Sequence, residues 1–177
     1  MTAPPLSILI LCTGNSARSI LAEAIINREG KGRFRAFSAG SQPKGTPNPI
    51  GLALLRERGY DTSGFRSKSW NEFATPDAPK MDIVITVCDS AAGESCPYWP
   101  GTPVIAHWGI PDPADDHGSA DANHRAFELA YARLHARVAA LIALPIESMA
   151  AAELTARLAN IGKLDGATEL AKSGTTA

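Results

Sequence analysis

The stretch Cys12-Thr13-Gly14-Asn15-Ser16-Ala17-Arg18-Ser19 places a nucleophile and a guanidinium at the two ends of a short polar loop. A loop of this kind turns its backbone N–H groups inward and receives the positive end of the helix it opens, which makes a cradle for a tetrahedral oxyanion. The expected anion-binding residues are Thr13, Gly14, Asn15, Ser16, Ala17 and Arg18. Arg18 can grip two anion oxygens with its planar fork, which a lysine does poorly. Cys12 stands at the floor of the cradle. The inward N–H groups, Arg18 and the Ser19 hydroxyl all favour a thiolate there, so the sequence predicts a Cys12 pKa well below the ordinary value of about 8.5. A buried structural cysteine beside a surface arginine is the blander alternative. Context favours chemistry: an apolar run before the loop, a helical pattern after it, and Ser19 next to Arg18.

The cradle needs a strand in front of it and a helix behind. Leu6–Leu11 supplies the strand, and Ile20, Leu21, Ala24 and Ile25 recur at helical spacing. Apolar runs and helical patterns alternate along the chain, the signature of an α/β fold. The expectation is a four-stranded parallel sheet with helices on both faces, followed by a C-terminal helical extension. Further strands are expected at Phe34–Ser38, Met81–Val87 and Thr102–Ala106. Met81–Val87 is the clearest, rich in β-branched residues and nearly continuous, as a doubly covered strand should be. Helices are expected at Ala17–Glu29, Pro49–Arg58, near Ser69–Phe73 and at Ala120–Leu144, the last with Ala126, Leu129, Ala130, Leu134, Val138 and Leu141 on one face. Residues 1–145 thus read as one domain and 146–177 as an extension. Within it Ile146–Ile161 is amphipathic through Leu154, Leu158 and Ile161, whereas Asp165–Ala177 is small, polar and expected to fray.

In such a sheet the functional loops lie beyond the carboxyl ends of the strands. That brings Cys12, Ser38-Ala39-Gly40, Cys88 and the stretch His107–Asp115 to one edge, with the Pro-rich loop Gln42–Pro49 beside them. If the third strand lies next to the first, their backbones are roughly 4.8 Å apart, within reach of a Cys12–Cys88 bridge after modest movement. Cys96 follows across Asp89-Ser90-Ala91-Ala92-Gly93-Glu94-Ser95, a small, polar segment able to rearrange locally. Three thiols that can be linked in sequence suggest a relay passing oxidation outward. Strand-end packing of Cys88 and a loop position for Cys96 are the bland readings. A zinc site from Cys88, Cys96 and His107 is weaker still, because the spacing is long and no fourth ligand is evident. Asp112, held between Pro111 and Pro113, is the candidate general acid; Asp115 and Asp116 compete as solvated or capping carboxylates. His107 reads as strand-end packing, and His117, His124 and His135 as surface positions. Arg66 and Lys68 could add positive charge near the cradle.

Bulk composition narrows the classes further. At 177 residues, 45% hydrophobic and 20% charged, the chain is an ordinary globular one able to bury a core without staples. A net charge of -1 argues against general nucleic-acid or anionic-membrane binding, so anion affinity must be local. No apolar run is long enough for a membrane span, and Met-Thr-Ala-Pro-Pro does not open a signal peptide. A cytoplasmic setting is expected, where three cysteines are more plausibly catalytic than structural. The motifs call for no cofactor and no resident metal.

Together, the opening loop, Ser38-Ala39-Gly40, Cys88, Cys96, His107-Trp108-Gly109 and Asp112-Pro113 resemble the arsenate reductases built on the low-molecular-weight protein tyrosine phosphatase fold, over residues 6 to about 144. The loop is shared with the phosphatases; Cys88, Cys96 and Ala114, where many phosphatases carry an aromatic residue, point to the reductases. The resemblance implies that Cys12 attacks arsenate, Arg18 binds its oxygens, Asn15 shapes the loop, Ser19 supports the thiolate and Asp112 is the acid. It implies that Cys88 then releases arsenite as a Cys12–Cys88 disulfide forms. Cys96 moves the bridge to Cys88–Cys96, and a thioredoxin- or glutaredoxin-type partner, the latter with glutathione, reduces it. Phosphate and sulfate would compete for the cradle. The Cys88–Cys96 spacing is one residue longer than in the thioredoxin-coupled members, and Ala17 replaces a frequent cysteine. Asn15, Glu23 and Ser38 match a potassium site of some relatives, but Trp70 stands where an acidic ligand belongs, so the ion is not expected. The alternatives are a phosphatase using Cys12, Arg18 and Asp112, and a non-enzymatic module binding oxyanions or arsenite.

Overall fold

The computed structural model describes residues 3–174. Four parallel strands, β1 (Leu6–Cys12), β2 (Phe34–Gly40), β3 (Ile83–Thr86) and β4 (Val104–His107), form one sheet in the order β2-β1-β3-β4. Six helices surround them: α1 (Arg18–Glu29), α2 (Pro49–Glu57), α3 (Asp89–Ala92), α4 (Ala120–Ile142), α5 (Ala151–Gly162) and α6 (Glu169–Ser173). The central strand β1 is fully buried from Ile8 to Leu11, which is why it reads as a continuous apolar run rather than an alternating one. Alternate residues serve opposite faces. Ile8 and Ile10 join Ile83 and Ile85 under the main helical layer, while Leu9 and Leu11 join Val84 under the 3-10 helix Trp70–Phe73, Met81 and Trp99.

The register aligns the chemistry. Cys12 pairs with Gly40, Leu11 with Thr86, and Thr86 with His107, so the carboxyl ends of all four strands finish at one level. The expected strands each occur, with ends displaced by one or two residues.

Three expectations need correction. Leu129 on α4 is exposed, and the buried stripe runs instead through Phe127, Ala130, Tyr131, Leu134, Val138 and Leu141. The two stripes share most positions, and packing against α1, α2 and α5, with Phe127 seated on Gly51 of α2, fixes the helix's rotation. Ile146–Ile161 is not one helix: a 3-10 turn, Ile146–Ser148, gives way to α5 because Met149 takes an extended conformation. Asp165 onward does not fray as far as Gly174. Thr168 caps α6, and Ala167 and Ala171 are buried; residues 175–177 lie outside the described part.

This C-terminal segment packs on β4, one of the sheet's two edge strands. Trp108 Nε1 donates to the Leu158 carbonyl at 2.9 Å. Arg137, fully buried, donates to the carbonyls of Leu164 at 3.0 Å, Asp165 at 3.1 Å and Gly162 at 3.5 Å, tying the end of α5 to α4.

Candidate active site

Cys12 ends β1, and the chain turns at once. A Cβ at Gly40, its partner on β2, would lie 2.4 Å from the Thr13 carbonyl, so only glycine lets the loop pass. Asn15 adopts φ 42°, a left-handed conformation costly for most residues. Its side chain offsets that cost: Nδ2 donates to Ser19 Oγ at 2.8 Å and Ser38 Oγ at 3.0 Å, while Oδ1 accepts from the Lys68 N–H at 2.9 Å. Backbone bonds from Gln42 to Thr13, Lys44 to Gly14 and Asn48 to Ser16 bind the Pro-rich loop to the cradle. No side chain caps α1, and of its first-turn N–H groups that of Ser19 serves the Cys12 thiol.

The Cys12 thiol lies 3.0 Å from Ser19 Oγ and accepts the Asn15 N–H at 3.2 Å. Its acidity differs from the expectation. Burial pushes the thiol up, and the Ser19 hydroxyl and N–H and the Arg18 charge, all of which pull it down, do not outweigh that; nearby Cys88 adds to the rise. Arg18 is itself engaged: Nη2 meets Asp112 Oδ2 at 3.0 Å and Nη1 donates to the Ile110 carbonyl at 2.9 Å. Asp112 is held in turn by the Ala114 N–H on Oδ1 at 3.0 Å, the turn that the flanking prolines enforce.

Cys12, Arg18, Cys88 and Asp112 share a single cleft of about 430 Å³, bordered also by Gln42, Lys44 and Ser90. Cys88 faces into it. Its sulfur accepts the Thr13 N–H at 3.3 Å and the Ala91 N–H at 3.4 Å, so the thiol caps α3 while touching the anion loop. The sequence placed Cys88 at this edge but named no helix within residues 89–95, where α3 forms. Cys96 lies elsewhere, exposed outside the cleft and among apolar neighbours that include exposed Tyr98 and Ile105. All three thiols are free. Thr13 Oγ1 donates to Glu94 Oε1 at 3.1 Å, which ties the Cys96 segment to the cradle.

The charges near the loop also differ from expectation. Arg66 pairs with Glu72 at 2.9 Å, and Lys68 Nζ turns beneath the loop to lie 4.0 Å from Glu23, which also accepts from the Ser38 hydroxyl. Lys68 thus brings a cation to Glu23 from within the chain. Lys44, which the sequence reading did not single out, is the lysine at the mouth; its position in the loop already assigned to this edge was the available signal. His107 is occupied on both ring nitrogens, by Thr86 Oγ1 and Asp89 Oδ1 at 2.7 Å each, and so is not shared with Cys88 and Cys96. Among the described residues, no helix is long and apolar enough to cross a membrane.

Comparison with known proteins agrees with this geometry. The family model of low molecular weight phosphotyrosine protein phosphatases matches residues 7–155. An arsenate reductase of Bacillus licheniformis is 34% identical over 123 residues, covering 69% of this chain and 84% of the relative. One from Bacillus subtilis is 33% identical over 121 residues, covering 68% and 84%. A solved arsenate reductase in its phosphate-binding state superposes with TM-score 0.62 at 27% identity, covering 78% of this chain and 97% of that one.

Proposed function

The chain belongs to the low molecular weight phosphotyrosine protein phosphatase family, and within it we propose that this enzyme reduces arsenate to arsenite through a relay of three thiols. The observation that carries the reading is the second buried thiol in the anion cleft: Cys88, 3.3 Å from the N–H next to Cys12. Hydrolysis of a phosphoester has no use for it. Relatives with the name arsenate reductase add support.

Arsenate is held by the loop N–H groups of residues 13–18 and by Arg18. Cys12 attacks arsenic. The S–As bond forms as an As–OH bond breaks, and the Cys12 proton, relayed by Asp112, leaves with that hydroxyl as water. Cys88 then attacks the Cys12 sulfur. An S–S bond forms, the S–As bond breaks, and its electron pair stays on arsenic, which departs as arsenite with the Cys88 proton. Cys96 attacks Cys88 in turn, and Cys12 leaves as a thiolate. The Cys88–Cys96 disulfide is at the exposed end of the relay, where a thioredoxin-type or glutaredoxin-type reductant of the cytoplasm supplies two electrons. Exposed Tyr98 and Ile105 beside Cys96 suit a protein reductant.

The second reading is phosphoester hydrolysis by Cys12, Arg18 and Asp112, favoured by the same cleft and family. Arsenate-dependent NADPH oxidation, with thioredoxin and glutaredoxin systems supplied separately, tests the main reading; no oxidation with either system, alongside rapid aryl phosphate hydrolysis, would establish the second instead.

A further inference from the structure

Thr168 belongs to none of the motifs above, yet it reaches the relay. Its hydroxyl donates to Asp89 Oδ1 at 2.7 Å, and its N–H donates to the Gly109 carbonyl at 3.0 Å. Asp89 is the first residue of α3 and the neighbour of Cys88, whose thiol caps that helix. The same Asp89 oxygen meets His107 Nε2, and His107 is anchored through Nδ1 to Thr86 on β3. The cluster closes tightly: a Cβ at Gly109 would lie 2.5 Å from each of Asp89 Oδ1, His107 Nε2 and Thr168 Oγ1. A Cβ at Gly162 of α5 would lie 2.3 Å from the His107 carbonyl. The C-terminal segment is therefore fitted against the end of β4 at Gly162, and Thr168 against Asp89 of α3 at Gly109, two positions that admit only glycine.

We propose that Thr168 is a positioning residue for the thiol relay: by holding Asp89 it keeps Cys88 turned toward the anion loop, and so favours the dithiol form of the Cys88–Cys96 pair. The inference rests on the relay proposed above. Cys88 is buried with its sulfur on Thr13, whereas Cys96 is exposed outside the cleft with α3 between them. A disulfide requires the two Cβ atoms to approach to about 3.5–4.5 Å. Cys88 must then leave Thr13 and Ala91, which unseats the first turn of α3 and pulls Asp89 from Thr168. A hydrogen bond to a carboxylate is among the stronger kinds. Present only in the dithiol form, it holds the equilibrium toward that form.

The test equilibrates full-length wild type, Thr168→Val, Thr168→Ala and Thr168→Ser in dithiothreitol buffers of graded reduced-to-oxidised ratio. Cys88 and Cys96 lose two electrons and two protons to the reagent's disulfide, which becomes a dithiol. Free thiols are then trapped, and the Cys88–Cys96 peptide is quantified by mass spectrometry. Thr168→Val and Thr168→Ala should form the disulfide at about tenfold more reducing ratios, about 30 mV for this two-electron couple. Thr168→Ser, which keeps the hydroxyl, should match wild type. A purely architectural role would weaken both redox forms alike and leave this equilibrium in place. Identical equilibria in all four proteins would overturn the inference and leave the relay standing. Absence of any Cys88–Cys96 disulfide in wild type would overturn the relay, and this inference with it.

Discussion

Arg18 and Asp112 face each other across the cleft at 3.0 Å, so the cation that should serve the anion and the acid that should serve the leaving group neutralise one another. The Arg18 side chain is largely shielded from water, whereas that of Asp112 is 34% exposed. Cys12 beside this guanidinium still resists ionisation because burial of the thiol outweighs the pull of Ser19 and Arg18.

Cys12 should therefore alkylate more slowly than an unfolded-chain cysteine at neutral pH. Its pKa is raised, so the thiolate fraction grows only as pH climbs past the ordinary thiol range, and the iodoacetamide rate should rise there. Ser19→Ala removes one of the two groups that lower the pKa most and should shift that profile further toward alkaline pH. Phosphate or arsenate should protect the thiol in both proteins. A profile with its midpoint below that of free cysteine would show that the loop N–H groups outweigh burial after all.

Cys88→Ser should reduce arsenate turnover to background while leaving aryl phosphate hydrolysis within about twofold. Serine keeps an acceptor for the Thr13 and Ala91 N–H groups, so the cleft keeps its shape, but an alcohol cannot form the disulfide that reduction requires. Parallel loss of both activities would make Cys88 a structural residue. Parallel steady-state assays of one preparation suffice.

What the sequence made legible follows from how each signal arises. β1 and the turn at Cys12 could be read because a doubly buried strand leaves an unbroken apolar run, and the parallel register then carries Cys88 to the same edge. Asp112 was legible because prolines on both sides fix its turn. The acidity of Cys12 was not, because desolvation depends on how completely residues distant in sequence cover the thiol. Nor was the rotation of α4, since stripes through Leu129 and through Phe127 are nearly equivalent on a helical wheel until the packing partners α1, α2 and α5 are in place. The C-terminal contact was invisible for a similar reason. Thr168 and Asp89 are 79 positions apart, and Thr168 sits in a stretch whose composition predicts fraying.

Arg137→Met should destabilise the protein by about 3–5 kcal/mol, because the carbonyls it satisfies at the end of α5 become buried without a donor. Arg137→Lys should recover less than half of that, since an ammonium cannot span the Leu164, Asp165 and Arg133 carbonyls at once. Urea denaturation of the three proteins measures both numbers. Equal midpoints for wild type and Arg137→Met would mean that the C-terminal segment contributes little to the cooperative unit.

Cys96→Ser separates the first arsenite from all later ones. The chemistry that releases arsenite uses Cys12 and Cys88 alone, so rapid mixing with excess arsenate should yield one equivalent per enzyme even without Cys96. The enzyme should then stall as a Cys12–Cys88 disulfide, sealed in a cleft where a protein reductant has no access to either buried sulfur. Mass spectrometry of the arsenate-treated variant should show that bridge, whereas the wild type should show Cys88 joined to Cys96. Full turnover by Cys96→Ser with thioredoxin as the only reductant would remove Cys96 from the relay. Turnover restored by glutathione and glutaredoxin, but not by thioredoxin, would instead show that a small thiol can enter the cleft and take the place of Cys96. The exposed position of Cys96, with Tyr98 and Ile105 beside it, makes stalling with thioredoxin the expected result.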